Sequence, residues 1–445
     1  MSSLRALLPS LALLSLLTVA APARAHDGPV EVTSLHARGA TERMLGTTFG
    51  IVHRPEGSDT WEVVCSEATG WSDNVRGAFH LGSHGTMYVG SPHGLSVSRD
   101  NGCSWTEVPE LKATGVSEIR GHPTDPQRLF ALTGKFNQDN GVFRSDDGGA
   151  TFPTPVLSER ELYFSGLRFA PSQPDRAWIS AWYFSPQRAV LYRSDDGGDS
   201  FTELTVTGVV PFSGFTLLAV HPEDPDVLFA QAFENFEYHL LRSTNGGQSF
   251  GFVASDARVF RSVHFSADAQ TVWAAAERLH RSDDGGETFA RVDSPLRAGC
   301  VGGFGPETGG TTSADEAFAC GFMLQDGWAL AKVDAMGGVE PTLRFEEIEE
   351  RQCPAGTPGR DVCRPLWPAL AIALGKAEAM PDGGTPGDGD GGVEGPDAGV
   401  KPGSDGGDDT EWDGTGCDCS SAGAAVMWSA PLLIALALRR RGRRA

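Results

Sequence analysis

Carboxylates recur along this chain at a spacing that invites a chemical reading. Asp100, Asp147, Asp196 and Asp284, with Asn245 standing in the same place, each follow a serine by two residues. Acids repeated in this way could ligate a divalent cation or serve as acid and base. Their neighbours give them another task. Each lies in a Ser-x-Asp-x-Gly-x-(Thr/Ser)-aromatic stretch: Ser98 to Trp105, Ser145 to Phe152, Ser194 to Phe201, Ser243 to Phe250 (with the Asn) and Ser282 to Phe289. An Asp flanked by hydroxyls and turn N–H groups closes an Asx-type turn. Gly149, Gly198, Gly247 and Gly286 allow the positive φ that such a turn needs. The carboxylates are thus engaged by their own hairpins.

The remaining reactive groups are few. Cys65, Cys103, Cys300, Cys320, Cys353 and Cys363 fall in the region that reads as folded. We expect disulfides pairing Cys65 with Cys103, Cys300 with Cys320, and Cys353 with Cys363, from among the many connectivities that six cysteines allow. No Cys-x-x-Cys pair occurs, which argues against a cysteine metal site. His26 follows a small-x-small stretch and has no identifiable partner histidine for copper. No metal and no cofactor is expected.

The elements that position these groups follow from the repeat. The five stretches start 47, 49, 49 and 39 residues apart. A period of this size signals stacked supersecondary units. The run before each turn reads as a strand, as in Gly141 to Arg144 and Val190 to Arg193. The aromatic residue after it anchors the outgoing strand. The segment resembles the Asp-box, also called the bacterial neuraminidase repeat. That resemblance, over roughly residues 40–350, implies a β-propeller with the box on the turn between the third and fourth strands of each blade. It also implies that the box is structural and faces away from the functional surface in sialidases, so its Asp residues are poor candidates for catalysis. Arg54 to Trp61 reads as a degenerate first copy, and Asp334 to Gly338 as a decayed last one. The expected fold is all-β: a single propeller of seven four-stranded blades over residues 26–375.

Paired prolines repeat in phase with the boxes, at His122 to Pro126, Ala170 to Pro174 and His221 to Pro225. They fix turns between the first and second strands, on the same side as the boxes. The opposite side is then built from second-to-third-strand loops and from links between blades. Three of these loops are long: 135–140, 182–188 and 233–238. They hold the candidate ligand-binding residues Phe136, Asn137, Trp182, Tyr183, Arg188, Phe236 and Tyr238, with Glu159, Arg160, Glu161 and Tyr163 in a nearby link. Exposed aromatics mixed with Asn, Gln and Arg suit a binding face.

Three functions are compatible with such a wheel. The first is a non-catalytic propeller that binds a protein or glycan, similar to sortilin-type receptors and the photosystem II assembly-factor-like group. The alternative is a sialidase-like or other glycoside hydrolase. A structural envelope protein is the third. Retaining sialidases use three Arg on the substrate carboxylate, a Tyr nucleophile with an acidic neighbour, and an Asp acid. Here the family's Phe-Arg-Ile-Pro segment is absent. Glu237 and Tyr238 are adjacent in a strand and so face opposite ways. Arg144, Arg193, Arg242 and Arg281 precede boxes, on the wrong side. The sequence therefore favours the non-enzymatic reading.

Charge and termini complete the expectation. The net charge of −22 argues against nucleic acid as a partner. Residues 1–25 read as a secretory signal peptide, with Arg5, an apolar run and Ala23-Arg24-Ala25. Residues 376–416 read as a disordered Gly/Asp/Pro-rich spacer. Residues 417–445 carry Cys417, an apolar run from Ala422 to Leu438 and an Arg cluster. This layout resembles the MYXO-CTERM sorting domain. The resemblance implies a short transmembrane helix, recognition by a processing protease, Cys417 as the processed residue, and a propeller exposed at the cell surface or outer membrane.

Overall fold

Local hydrogen bonding turns each repeat into a hairpin. In the box at Ser145, the serine hydroxyl donates to Asp147 at 2.7 Å and accepts from the Gly149 N–H at 2.8 Å. Asp147 also accepts from the N–H groups of Ala150 and Thr151 and from the Thr151 hydroxyl, at 2.7–3.0 Å. Partial burial works against this carboxylate. The Ser145 and Thr151 hydrogen bonds outweigh it and hold the pKa at about 2. Asn245 reproduces the pattern with its amide, accepting from the Ser249 N–H and donating to the Ser249 hydroxyl.

The structure is a computed structural model that describes residues 29–38, 41–71, 77–207, 213–293, 299–303, 316–334 and 336–376. The signal peptide, most of the spacer, Cys417 and the apolar C-terminal run lie outside these residues. Within them the strands form seven antiparallel sheets, each with four strands consecutive in sequence. The blades span 32–65, 78–107, 116–160, 162–204, 213–256, 262–291 and 301–344. Every full box lies between the third and fourth strands of its blade, and the 55–61 and 334–338 segments occupy the same place in the first and last blades. Asp334 still caps its turn, accepting from the N–H groups of Met336 and Gly338 at 2.8 Å.

The proline turns and the boxes share one face. The Gly148 N–H donates to the Gln127 carbonyl at 2.9 Å, and Gly197 does the same to Asp175 at 2.8 Å. Boxes also fasten neighbouring blades. The Tyr88 hydroxyl of blade 2 donates to the Gly148 carbonyl of blade 3 at 2.8 Å, and Trp178 of blade 4 to Gly246 of blade 5 at 3.1 Å. A Cβ at Gly149, whose φ is +73°, would stand 2.4 Å from the Tyr88 ring. That position requires glycine both for the turn and for the blade contact. Apolar side chains of adjacent sheets fill the space between them; Phe130, Phe164, Phe215 and Phe229 are fully buried there.

Ring closure corrects two expected disulfides. Blade 1 packs directly on blade 7, with Val32 and Leu45 in one core with Cys320, Leu330 and Leu343. Among the described residues no strand is exchanged between these two blades. The chain instead runs on past blade 7, and Glu349–Glu350 adds a fifth strand, parallel to the outer strand of blade 1. Helices Pro358–Asp361 and Cys363–Ala373 follow. Cys363 bonds Cys65, and Cys353 bonds Cys103, so the C-terminal segment is stapled to blades 1 and 2. The expected Cys65–Cys103 and Cys353–Cys363 pairs are replaced by these two. Cys300 and Cys320 pair within blade 7, as expected.

Candidate functional site

The face opposite the boxes is raised at blades 3 to 5 by the three long hairpins. Blade 4 contributes most, because its second strand runs the full length of Gln173–Phe184. Its hairpin lifts Trp182 and Phe184 beside Phe136, which comes from the hairpin of blade 3. Phe136 lies 5.9 Å from Trp182 and 5.8 Å from Phe184, ring centre to ring centre. Tyr163, at the start of blade 4's inner strand, closes the group at 5.7 Å from Phe136 and 5.2 Å from Trp182. Phe136 and Phe184 remain 58% and 60% exposed. Four rings in edge and tilted contact thus form an open apolar platform.

The hairpin under Phe136 is rigid. Asn140 is buried, accepts from the Lys135 N–H at 2.9 Å, and donates to the carbonyls of Lys135 and Leu162. Asn137 takes a left-handed φ of 59° at the tip, so it shapes the turn. Acids lie on the strands and the blade link that adjoin this hairpin. Asp139 pairs across the sheet with Arg160, and Asn140 with Glu159. The Glu161 N–H donates to the Gln138 carbonyl, which ties the blade link to the hairpin tip. Tyr163 follows two residues later.

The other candidates are placed differently. Tyr183 alternates away from Trp182 along the strand. Its ring lies under Arg188, 4.9 Å from the guanidinium carbon, and Arg188 is held by Glu203 at 2.6 Å. Tyr238 packs on Phe233, with ring centres 4.8 Å apart, while Glu237 is exposed. Phe236 stands at the blade 5 hairpin tip, 92% exposed and at a φ of 67°. The structure therefore unites Phe136 and Trp182, adds Phe184 and Tyr163 to them, and leaves Tyr183, Arg188, Phe236 and Tyr238 outside that contact set.

A second polar region was not singled out in the sequence. The inner strands of the blades surround a central cavity of about 320 Å³. Its lining includes His36, His80, Arg120, His122, Arg168, Arg261 and His264. Glu118 joins Arg120, at 2.6 Å, to Arg168. Burial raises the Glu118 carboxyl, but the two guanidinium groups outweigh it and keep it ionised. The signal in the sequence was weak, because the lining residues are scattered over the inner-strand segments of different repeats. Among the described residues no cluster of His, Cys, Asp or Glu is arranged to hold a metal ion.

Comparison with known proteins adds to this geometry. The sortilin (neurotensin receptor 3) family model matches residues 93–237. A xyloglucanase of Hypocrea jecorina (strain QM6a) is 32% identical over 124 residues, which is 27% of this chain and 14% of that enzyme. The chain thus matches a small part of that relative's length. An ancestral GH74 enzyme shares the fold with a TM-score of 0.50 and 13% identity, over 71% of this chain and 47% of the enzyme. The GH74 xyloglucanase of Xanthomonas campestris gives a TM-score of 0.49 at 15% identity, over 69% and 52% of the two chains. YCF48 from Cyanidioschyzon merolae gives 0.45 at 15% identity, over 65% and 92%. At 13% identity the likeness to the ancestral GH74 enzyme speaks for the fold alone. The curated relative bears on activity, and it corrects the expectation that the propeller is not an enzyme. The protein it resembles in sequence is a xyloglucanase, so the match favours the glycoside hydrolase reading that the sequence had placed second.

Proposed function

We propose that this propeller is a glycoside hydrolase domain acting on a polysaccharide, which lies across the hairpins of blades 3 and 4. The observation that carries the reading is the platform of Phe136, Tyr163, Trp182 and Phe184. Pyranose rings present apolar C–H faces, and open aromatic rings offer them large rigid surface at low entropy cost. The sequence match to a xyloglucanase favours a β-glucan backbone as the substrate class.

Hydrolysis of a glycosidic bond needs two carboxyl groups, one to protonate the leaving oxygen and one to attack or to activate water. We assign this chemistry to the acids on the strands and the blade link that adjoin the Phe136 hairpin, Asp139, Glu159 and Glu161.

We further propose that the protein works outside the cell. Three disulfides suit an oxidising compartment. The C-terminal apolar run and Arg cluster would tether it at the surface before processing.

Affinity electrophoresis in gels containing xyloglucan tests the platform. The full chain should be retarded, and Trp182→Ala and Phe136→Ala should each weaken retardation by about tenfold, since each removes an aromatic face whose complete burial contributes about 1.5–3 kcal/mol. Equal mobility of wild type and both variants would refute the platform as the substrate site.

A further inference from the structure

The central channel carries positive charge inside a strongly acidic protein. Arg120, Arg168 and Arg261 line it together with His36, His80, His122 and His264. The carboxylates that meet these arginines are Glu118, shared by Arg120 and Arg168, and Glu31, which holds Arg261 at 2.7 Å. Three guanidinium groups thus face two carboxylates, while the chain as a whole carries a net charge of −22. Elsewhere three of the arginines before the boxes are matched by exposed aspartates: Arg144 by Asp146 and Asp199, Arg193 by Asp195, and Arg281 by Asp283.

Hydrogen bonding distinguishes Arg120 from Arg168. In Arg168, Nε donates to the Leu218 carbonyl at 2.7 Å, and Nη1 donates to the Leu167 carbonyl and to Glu118. Arg120 gives Nη2 to Glu118, but its Nε is buried and has no partner among the described residues. A buried cationic donor left unmet is costly. His36 and His80 stand in its field. Burial, His80 and Arg120 lower His36 to about 3, and burial with Arg120 lowers His80 to about 3. Both imidazoles are therefore neutral at neutral pH.

We propose that the central channel is a binding site for a small oxyanion, a carboxylate or a phosphate, gripped by Arg120 with His36 and His80 beside it. The planar fork of Arg120 suits either group. The cavity volume admits anything from inorganic phosphate to a single uronic acid residue. The site is separate from the aromatic platform. Arg168 lies five residues along the inner strand from Tyr163, or roughly 16 Å of extended chain, so the site stands independently of the proposed hydrolysis.

The occupant's charge would stabilise the protonated forms of His36 and His80 and raise their pKa values. The bound state then holds more protons than the free state, so affinity rises as pH falls. His122, His264, Glu118, Arg168, Arg261 and Glu31 are the other titratable or charged groups around the channel. Glu118 is held ionised by its two arginines, and His264 is lowered by its burial to about 4.

Titration calorimetry on the full secreted chain decides the matter, with galacturonate, inorganic phosphate and uncharged galactose as probes. We expect one saturable site for at least one anion and none for galactose. A response to galacturonate alone places the charge on a glycan, and a response to phosphate alone places it on a free ion. Binding should tighten as pH falls below about 5, towards the values near 3 at which His36 and His80 take up protons in the free chain, with proton uptake seen as a buffer-dependent heat. Arg120→Gln should weaken binding by about tenfold or more, and Arg120→Lys should restore part of it. His80→Gln should remove part of the proton uptake, and it serves in place of Arg120→Gln if that variant does not fold. Absence of saturable binding by either anion would overturn the proposal. So would unchanged affinity in a folded Arg120→Gln chain, or affinity that does not depend on pH.

Discussion

Single residues show where local chemistry ends and long-range packing begins. The box aspartates were legible because every partner of Asp147 lies within four residues of it. Asp147→Ala should cost about 1 kcal/mol, the usual scale for losing a cap of this type. Asp147→Asn should cost less, because Asn245 already fills the same role one repeat pair away. Thermal melts of the two variants would show the order; a larger loss for Asn would contradict the account of the turn. Channel residues were not legible, because Arg120, Arg168 and Arg261 come from three blades and meet around the axis of the closed ring. The buried histidines also make a pH prediction. His36 and His80 fall from 6.5 to about 3, and His53 and His264 to about 4, with burial the leading cause in each. Between those values and 6.5 the unfolded chain binds more protons than the folded one. Stability therefore falls as pH drops from about 6.5 towards 4. The box aspartates, lowered in the fold, act in the same direction only at lower pH, as they protonate below about 4. His53→Gln should flatten the slope of melting temperature against pH between about 6.5 and 4.5. A melting temperature that is constant over that window would contradict the assignment.

At the level of elements, turns were readable and connections between distant strands were not. Asx and proline chemistry fixed which hairpins share a face, since these are interactions over a few residues. The disulfide pattern depended on ring closure. Cys65–Cys363 and Cys103–Cys353 join residues 298 and 250 positions apart, and no local spacing carries that information. The staple has a measurable consequence. Cys353→Ser with Cys103→Ser should destabilise the chain by about 2–5 kcal/mol. The helix Cys363–Ala373 remains tied through Cys363, so cleavage in limited proteolysis should fall first around 353–358. An unchanged melting temperature and digestion pattern would show that the parallel strand at Glu349–Glu350 alone secures the end.

The propeller formed by the seven sheets has two faces of different composition. One face is occupied by boxes, proline turns and exposed ion pairs, each of which adds little by itself. The other is raised on one side by long hairpins that converge on four aromatic rings. The β-propeller was expected from the resemblance of the repeated box, and the seven blades from the box spacing with its degenerate first and last copies, whereas the platform required knowing that Phe136 and Trp182, 46 residues apart in the chain, stand side by side. The most direct test of the account is the release of reducing ends from xyloglucan and other soluble β-glucans by the full secreted chain. The account predicts saturable release that drops by about 100-fold or more when the essential acid among Asp139, Glu159 and Glu161 is replaced by its amide. Folded protein that releases nothing from any of these glucans, or an activity indifferent to all three amide variants, would contradict it.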